Sequence, residues 1–392
     1  MIGFIGKIRR RMPLGWLQLS RHKGRFLVAI SGVAFADLLM FMQLGFQSAL
    51  FNSATRLHKS LQGDIVIFST QARNLTDMST FTRRRLYQAM NVPGVKSVDA
   101  IYTNTIKWKN PLTRNRNNLL IVGFDPDQQV FNIPEINTQL QKTKLPDTLL
   151  LDTKTRGEYT EVISQIQQGK TVTTEVERRT VTISGLFTVG SSFGSDGHLM
   201  TSDQNFLRLF PRREAASISL GLINLKPGHD LEVVTNALKN HLPQDDINIL
   251  TKEEFIAFEK GYWQKASPIG FVFGLGTAMG FTVGVIIVYQ VLSTDVNAHI
   301  KEYATFKAMG YRNIYLLGIV FEEAFILVIS GFIPGAGISI GLYALTRQAT
   351  NLPLFMTGLR AIQVLILTFI MCMISGIIAT HKVQSADPAD MF

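Results

Sequence analysis

The sequence predicts an integral membrane α-helical protein with four transmembrane helices and a large α+β extracytoplasmic domain inserted between helices 1 and 2. Three observations lead to this fold class. Four segments are long and apolar enough to cross a bilayer, which takes about 20 apolar residues. A polar segment at 52–265 separates the first of them from the other three. Basic residues crowd the chain directly before the first apolar segment.

Composition and charge narrow the class of protein. The chain has 392 residues, 46% of them hydrophobic and 17% charged, which is enough for a sizeable core and more than one domain. The net charge of +10 raises the question of nucleic acid, but no nucleic-acid-binding motif accompanies it. Residues 1–25 contain no acidic residue and carry a cluster of basic ones: Lys7, Arg9, Arg10, Arg11, Arg21, Lys23 and Arg25. We therefore expect no nucleic-acid partner and interpret the charge as the flank of a membrane helix.

The basic flank predicts the orientation in the membrane, because such residues hold their side of a first transmembrane helix in the cytoplasm. The first apolar segment exceeds the 7–15 residues typical of a signal-peptide core and has no small-x-small cleavage site, so it is interpreted as an uncleaved anchor. We expect an inner (plasma) membrane protein with both termini cytoplasmic and the large domain periplasmic. The predicted order is an amphipathic N-terminal helix at 1–25, transmembrane helix 1 at 26–51, the periplasmic domain at 52–265, transmembrane helix 2 at 268–293, a cytoplasmic coupling helix at 296–315, transmembrane helices at 316–345 and 361–380, and a cytoplasmic tail at 381–392.

The N-terminal segment has an alternative interpretation. Leu14, Trp16, Leu17 and Leu19 stand among basic residues, as in a helix lying on the inner leaflet. A disordered basic tail is the other possibility.

The predicted periplasmic domain alternates strand-like and helix-like pieces. GDIVIFS at 63–69 and SISLGLINL at 217–225 are typical of strands, and each is followed by a helical segment and a further strand. Two such units predict a split α+β layer, porter-like in form, with a β-rich insert at about 127–210. The glycine-rich run at 190–197, GSSFGSDG, lacks the lysine and following helix of a phosphate-binding loop, so it is interpreted as an ordinary loop. The only cysteine, Cys372, lies in the fourth apolar segment, which leaves this domain without disulfides.

Ionisable residues within the apolar segments are candidates for function, because a charge at the bilayer centre costs about 2.5–3.5 kcal/mol on insertion scales. Asp37 lies near the middle of the first segment and is expected to face protein, in a functional role or in a structural hydrogen bond. Glu322 and Glu323 enter the third segment. Adjacent residues point to different faces of a helix, so at least one of the two carboxylates needs its own partner. The two interpretations are a proton relay and a structural pairing.

Small residues at a spacing of four predict close helix packing. In the second apolar segment these are Gly276, Gly280 and Gly284. Two interpretations stay open, tight packing within one bundle and a dimer interface that changes shape.

A search for catalytic motifs leads to an expectation of no enzyme activity in this chain. The sequence lacks a Walker A loop, an HExxH motif, paired cysteines and a GxSxG elbow. Its seven histidines, among them His198, His229 and His299, show no metal-ligand spacing. We expect no catalytic residue, no metal and no cofactor in this chain.

The polar run VNAHIKEYATFKAMGYRNIY at 296–315 is longer than a membrane turn requires. Tyr303, Phe306 and Met309 form a partial apolar stripe, and charged residues face away from it. Such a helix projecting into the cytosol fits a groove on a partner, and the alternative is a helix lying flat on lipid. The predicted coupling residues are Glu302, Tyr303, Phe306, Lys307, Met309 and Gly310.

These residues carry a family resemblance. The run HIKEYATFKAMGYRNIYLLGIVFEEAFILVISGFIPG resembles the signature of FtsX-like permeases of the MacB type. The matching positions are Glu302, Tyr303, Lys307, Ala308, Met309, Gly310 and Glu323, with Lys382, Asp387, Pro388 and Ala389 near the C-terminus. Within that family QGDIVIFS, LLIVGFDPDQ and TVTISGLFTVGSSFGSDGHLMTSD resemble the DevC-type permeases of cyanobacteria. One departure is that Lys301 stands immediately beside Glu302, where the wider family often has a more distant basic residue.

The resemblance implies a permease subunit that forms a homodimer in the lipid membrane and works with a separate ABC-type ATPase, which binds ATP and Mg. It also implies a periplasmic membrane-fusion adaptor and, through the adaptor, an outer-membrane TolC-like duct. DevC-type permeases are associated with glycolipid export. The alternative is an FtsX-like mechanotransmitting protein that regulates a periplasmic enzyme without transport.

Overall fold

The computed structural model describes residues 15–16, 21, 23–350 and 352–384. The chain divides into two compact units. The helical unit contains the chain up to Ser48 together with Gly270–Arg347 and the chain from Leu354, and the α+β unit contains Ala49–Ile269 and Gln348–Pro353. Most of the predicted N-terminal helix at 1–25 and most of the tail at 381–392 lie outside the described residues.

The helices are, in chain order, α1 (Lys23–Ala54), α2 (Arg56–Ser60), α3 (Arg84–Met90), α4 (Pro134–Asn137), α5 (Thr160–Gln167), α6 (Asp203–Leu209), α7 (Leu231–His241), α8 (Lys252–Gly261), α9 (Pro268–Ala298), α10 (Ile300–Ala308), α11 (Asn313–Thr350) and α12 (Gly358–Gln384). The strands are β1 (Ile65–Ser69), β2 (Phe81–Thr82), β3 (Val95–Lys109), β4 (Arg116–Phe124), β5 (Thr148–Asp152), β6 (Val172–Val176), β7 (Arg179–Phe187), β8 (Gly197–Ser202), β9 (Ser217–Ile218), β10 (Leu220–Leu225) and β11 (Ile247–Thr251).

Four helices of the described chain, α1, α9, α11 and α12, are long and apolar enough to cross a membrane. Each exceeds the roughly 20 residues that a bilayer requires. Their shared core contains side chains from all four helices, among them Val33, Val288, Leu327 and Met371. Many apolar side chains on their outer faces remain exposed, as lipid-facing helices require.

Glycines let α9 and α11 approach α1 closely. A Cβ at Gly280 would lie 3.1 Å from Leu39 Cβ, and a Cβ at Gly335 would lie 3.0 Å from the carbonyl oxygen of Ala34. At Gly276 the side chain of Gln43 occupies the equivalent space. These glycines therefore pack within one chain, which agrees with the bundle interpretation. The dimer interpretation stays a prediction.

We expect Gly284→Leu to destabilise the helical unit by about 2 kcal/mol, the usual cost of overpacking. The new side chain would overlap Met371 Sδ and lie against Ala36 Cβ, which is 2.8 Å from a Cβ at this position. Gly274→Leu is the matched control, because nothing lies within 4 Å of a Cβ there. Thermal unfolding in detergent micelles measures the difference. Equal unfolding temperatures for the two variants would contradict the packing role.

The α+β unit is built on a nine-stranded sheet with the order β11-β1-β10-β3-β4-β8-β5-β7-β6. The units β1-α3-β3 and β10-α7-β11 interleave at one end, so that antiparallel β11, β1, β10 and β3 form a split βαβ layer. The second predicted strand–helix–strand unit is present as β10-α7-β11. In the first unit the prediction holds for β1 and α3, but the further strand predicted there corresponds to β4, and β3, which directly follows α3, was missed. The strands of the predicted insert, β5 to β8, extend the same sheet through parallel pairing of β4 with β8.

Both faces of this sheet are covered. Along β1, Ile65 and Ile67 belong to one apolar cluster, whereas Val66 and Phe68 belong to another. Successive side chains of a strand point to opposite faces, so a continuous apolar run results when both faces are buried. This explains why every residue of β1 is buried, where the sequence interpretation had emphasised alternation.

Candidate functional site

The segment between α9 and α11 forms a short helix at the end of the helical unit. The chain turns at His299, whose backbone N–H donates to the carbonyl of Asp295 over 3.1 Å. The His299 carbonyl then accepts from the N–H groups of Glu302 and Tyr303 at the start of α10. Because α10 has nine residues, the segment has about two and a half turns of separate helix.

Gly310 ends this helix in a Schellman motif. Its φ of 86° lies in the left-handed region, where glycine has no Cβ penalty. The N–H of Tyr311 donates to the carbonyl of Phe306, and the two rings meet edge to face at 5.6 Å. A hydrogen bond and an apolar contact across these positions define the motif. Gly310 and Phe306 therefore shape the turn into α11.

The predicted apolar stripe on α10 is divided between two environments. Tyr303 is 1% exposed and belongs to the core of the helical unit, and Phe306 is half-buried against Tyr311 and Tyr315. Their burial does not agree with the expectation that both project into a partner. Met309 alone among the three is exposed, at 60%. The side chain of Lys307 lies outside the described part of the structure.

The exposed face of this segment is apolar at its centre and charged at its edge. Ile314 is 74% exposed and Tyr311 is also exposed, together with Met309. We call the coupling surface the set Glu302, Met309, Tyr311, Arg312 and Ile314, all of which are exposed. Tyr311 and Ile314 were not recognised from the sequence because the helical period was counted only as far as Gly310. The turn at Gly310 brings the next residues into the same exposed segment.

Two carboxylates of the apolar helices accept hydrogen bonds inside the helical unit. Thr368 Oγ1 donates to Asp37 Oδ1 over 2.5 Å, and both residues are fully buried. The backbone N–H of Gly15 donates to Glu322 Oε2 over 3.4 Å. Glu323 is fully buried. Thr368 gives Asp37 a buried hydrogen-bond partner, and the roles expected of Asp37, Glu322 and Glu323 stay predictions.

A second polar network orders the glycine-rich loop of the α+β unit. Asp152, at the end of β5, accepts from the N–H groups of Val189 and Gly190 and lies 3.1 Å from His198 Nδ1. Arg56 donates to the Val189 carbonyl. Burial raises the pKa of Asp152, but the hydrogen bond and charge of His198 and the backbone N–H donors outweigh it, so that the pKa lies below its ordinary value. Asp152 thus stabilises the fold at neutral pH and loses this contribution as the pH falls through the lowered pKa.

A third cluster ties α2 to α8 in the α+β unit. Glu259, 3% exposed, accepts from Trp263 Nε1 over 2.8 Å and from the N–H of Leu75 over 2.9 Å. Its Oε2 also lies 3.3 Å from Nε2 of the fully buried His58. This cluster joins α2 to α8, and no sequence motif indicates it.

In the described residues no group of three or more His, Cys, Asp or Glu side chains lies close enough together to hold a metal ion. The candidate site is the coupling surface, a set of exposed residues on α10, the turn that follows it and the start of α11. The fold and this surface define a membrane protein that presents a short polar helix between two apolar helices.

Residues 274–388 match the family described as FtsX-like permease C-terminal. The matched residues include the whole coupling surface. No curated protein sequence matches the chain significantly.

Two solved structures are similar to about half of the chain. The periplasmic region of MacB from Actinobacillus actinomycetemcomitans is 12% identical, with 50% of this chain and 91% of that one covered and a TM-score of 0.31. The extracellular domain of the noncanonic ABC-type transporter YknZ from Gram-positive bacteria is 11% identical, with 48% of this chain and 100% of that one covered and a TM-score of 0.30. Scores this low do not establish a shared fold.

Proposed function

We propose that this chain is the permease subunit of an ATP-driven export complex of the MacB/FtsX-like type. A separate ABC-type ATPase binds ATP and Mg and docks on the coupling surface, and the helical unit transmits its motion to the α+β unit. The observation that carries this proposal is the exposed apolar and charged surface of α10 and the following turn within the FtsX-like domain.

The finer features of the proposal rest on the sequence resemblance to DevC-type permeases. They comprise a homodimer in the inner membrane, a periplasmic membrane-fusion adaptor, a TolC-like duct and a glycolipid cargo. The competing function is that of an FtsX-like mechanotransmitter, in which the same motion regulates a periplasmic enzyme. The split βαβ layer is compatible with both functions, because each of them needs a rigid body that the helical unit can move.

Loss of the protein distinguishes the two functions. The export proposal expects glycolipid to disappear from the outer envelope of cells that lack the chain, with the synthesised lipid retained inside. A mechanotransmitter would leave envelope lipid unchanged and alter the activity of a cell-wall enzyme. Co-purification of an ABC-type ATPase with the chain in detergent tests the part that the two functions share.

The proposed orientation has its own test. Thr113→Cys, at an exposed turn of the α+β unit, should react with an impermeant thiol reagent applied outside the inner membrane. Asn297→Cys, exposed near the end of α9, should react only after permeabilisation. The native Cys372 is buried, so its background labelling should be low. Equal external labelling of both variants would show that the four-helix topology is wrong.

A further inference from the structure

A groove of about 550 Å³ opens between the first turns of α1 and the last turns of α9. Its volume lies within the range of about 300–1,000 Å³ that is typical of small-molecule sites. Val28, Ile287 and Val291 give it apolar walls. Ile287 lies 11 residues before the end of α9, so the apolar part extends about 16 Å inward from the helix end at 1.5 Å per residue.

Polar groups line the same groove nearer to the helix ends. Arg25 is exposed and lies two residues after the start of α1, and Gln290 and Thr294 lie on α9. The Thr294 hydroxyl donates to the Gln290 carbonyl over 2.7 Å, which leaves the guanidinium of Arg25 and the amide of Gln290 as the donors for a ligand. An acidic residue also lines the groove. Asp295 is 5% exposed, and its Oδ2 lies 3.5 Å from His299 Nδ1.

The charge around the groove selects the ligand. Arg21 and Lys23 are exposed beside Arg25, in a stretch of 25 residues without an acidic residue. Basic residues at this position attract the anionic lipids of the cytoplasmic leaflet. A second copy of the chain would have to bury the Arg25 guanidinium, which is costly unless an acidic residue pairs with it.

We propose that this groove binds one anionic phospholipid, with its phosphate on Arg25 and Gln290 and one acyl chain along Val28, Ile287 and Val291. The site joins α1 to α9, so the bound lipid holds together the two helices that lead to and from the α+β unit in the chain. The proposal rests on the membrane placement of these helices and not on ATPase docking. Its failure and the failure of the proposed function are therefore distinguishable.

The test uses the full-length protein, delipidated in detergent, with dioleoyl phosphatidylglycerol as the probe and dioleoyl phosphatidylcholine as its uncharged counterpart. Native mass spectrometry should show one phosphatidylglycerol retained per chain and no retained phosphatidylcholine. Arg25→Ala should weaken phosphatidylglycerol binding about tenfold, because a charge-assisted hydrogen bond is lost. Arg21→Ala removes the same charge outside the groove, and its affinity should stay within about twofold of wild type.

Filling the groove gives an independent measurement. Val28→Trp places a large ring at a position that is 61% exposed, so folding should tolerate it while the acyl chain is excluded. Wild-type retention of phosphatidylglycerol by this variant would overturn the proposal. Equal losses of phosphatidylglycerol affinity for Arg25→Ala and Arg21→Ala would show that the lipid is attracted to the basic surface in general and is not bound at this site. If two Val28→Cys chains form a disulfide, and added phosphatidylglycerol does not lower the yield of this crosslink, the groove belongs to the contact with a second copy.

Discussion

Met309→Asp and Ile314→Asp should each abolish most of the association between this chain and the ABC-type ATPase that we propose as its partner. Both side chains are large, apolar and more than half exposed on the coupling surface. Buried apolar anchors contribute about 2 kcal/mol or more to an interface, so each substitution should weaken binding at least about thirtyfold. The ATPase should no longer be stimulated by the permease. Co-purification in detergent and the permease-stimulated hydrolysis rate measure the two effects.

Matched variants separate docking from folding. Leu112→Asp places the same charge on an exposed apolar residue of the α+β unit and should leave ATPase binding unchanged. Glu302→Ala should do less harm than Met309→Asp, since an exposed charge is worth about 1 kcal/mol or less. Full binding and full stimulation by Met309→Asp and Ile314→Asp would show that α10 lies on lipid and that the ATPase docks elsewhere.

Glu259→Ala should lower the stability of the α+β unit by about 3 kcal/mol, because removal of one member of a buried charged cluster leaves its partners unsatisfied. The substitution removes the acceptor of Trp263 Nε1 and of the Leu75 N–H, and the carboxylate beside His58. Denaturant unfolding of the purified protein, followed by tryptophan fluorescence, measures the loss.

Two further variants define the cause of that loss. Glu253→Ala removes an exposed carboxylate from the first turn of the same helix and should cost less than about 1 kcal/mol. Glu259→Gln keeps an acceptor for Trp263 but loses the charge beside His58, so its stability should fall between those of wild type and Glu259→Ala. Equal stability of the Glu259→Ala and Glu253→Ala proteins would show that the buried cluster does not stabilise the fold.

Helical and strand-like segments could be recognised from the sequence because their signals are local. A bilayer imposes about 20 consecutive apolar residues, and the four segments that meet this requirement correspond to α1, α9, α11 and α12. Gly310 could be recognised as a helix end because only glycine adopts a positive φ without cost. The second strand–helix–strand unit was visible as a change between the period of a strand and the period of a helix, whereas β3 of the first unit was missed.

The sequence by itself thus determined the long helical segments, most of the strand–helix–strand order within the α+β unit, and the short polar helix between α9 and α11. Only the tertiary structure decided which of their residues are buried and which are exposed. The spacing of Gly274 and Gly284 looks alike in sequence, yet one faces open space and the other packs on Ala36. Tyr303 and Met309 belong to the same apparent stripe, but the core of the helical unit takes up the first and leaves the second exposed. The physical reason is that burial and hydrogen bonding depend on partners distant in the chain, such as Asp152 and His198, which lie 46 residues apart.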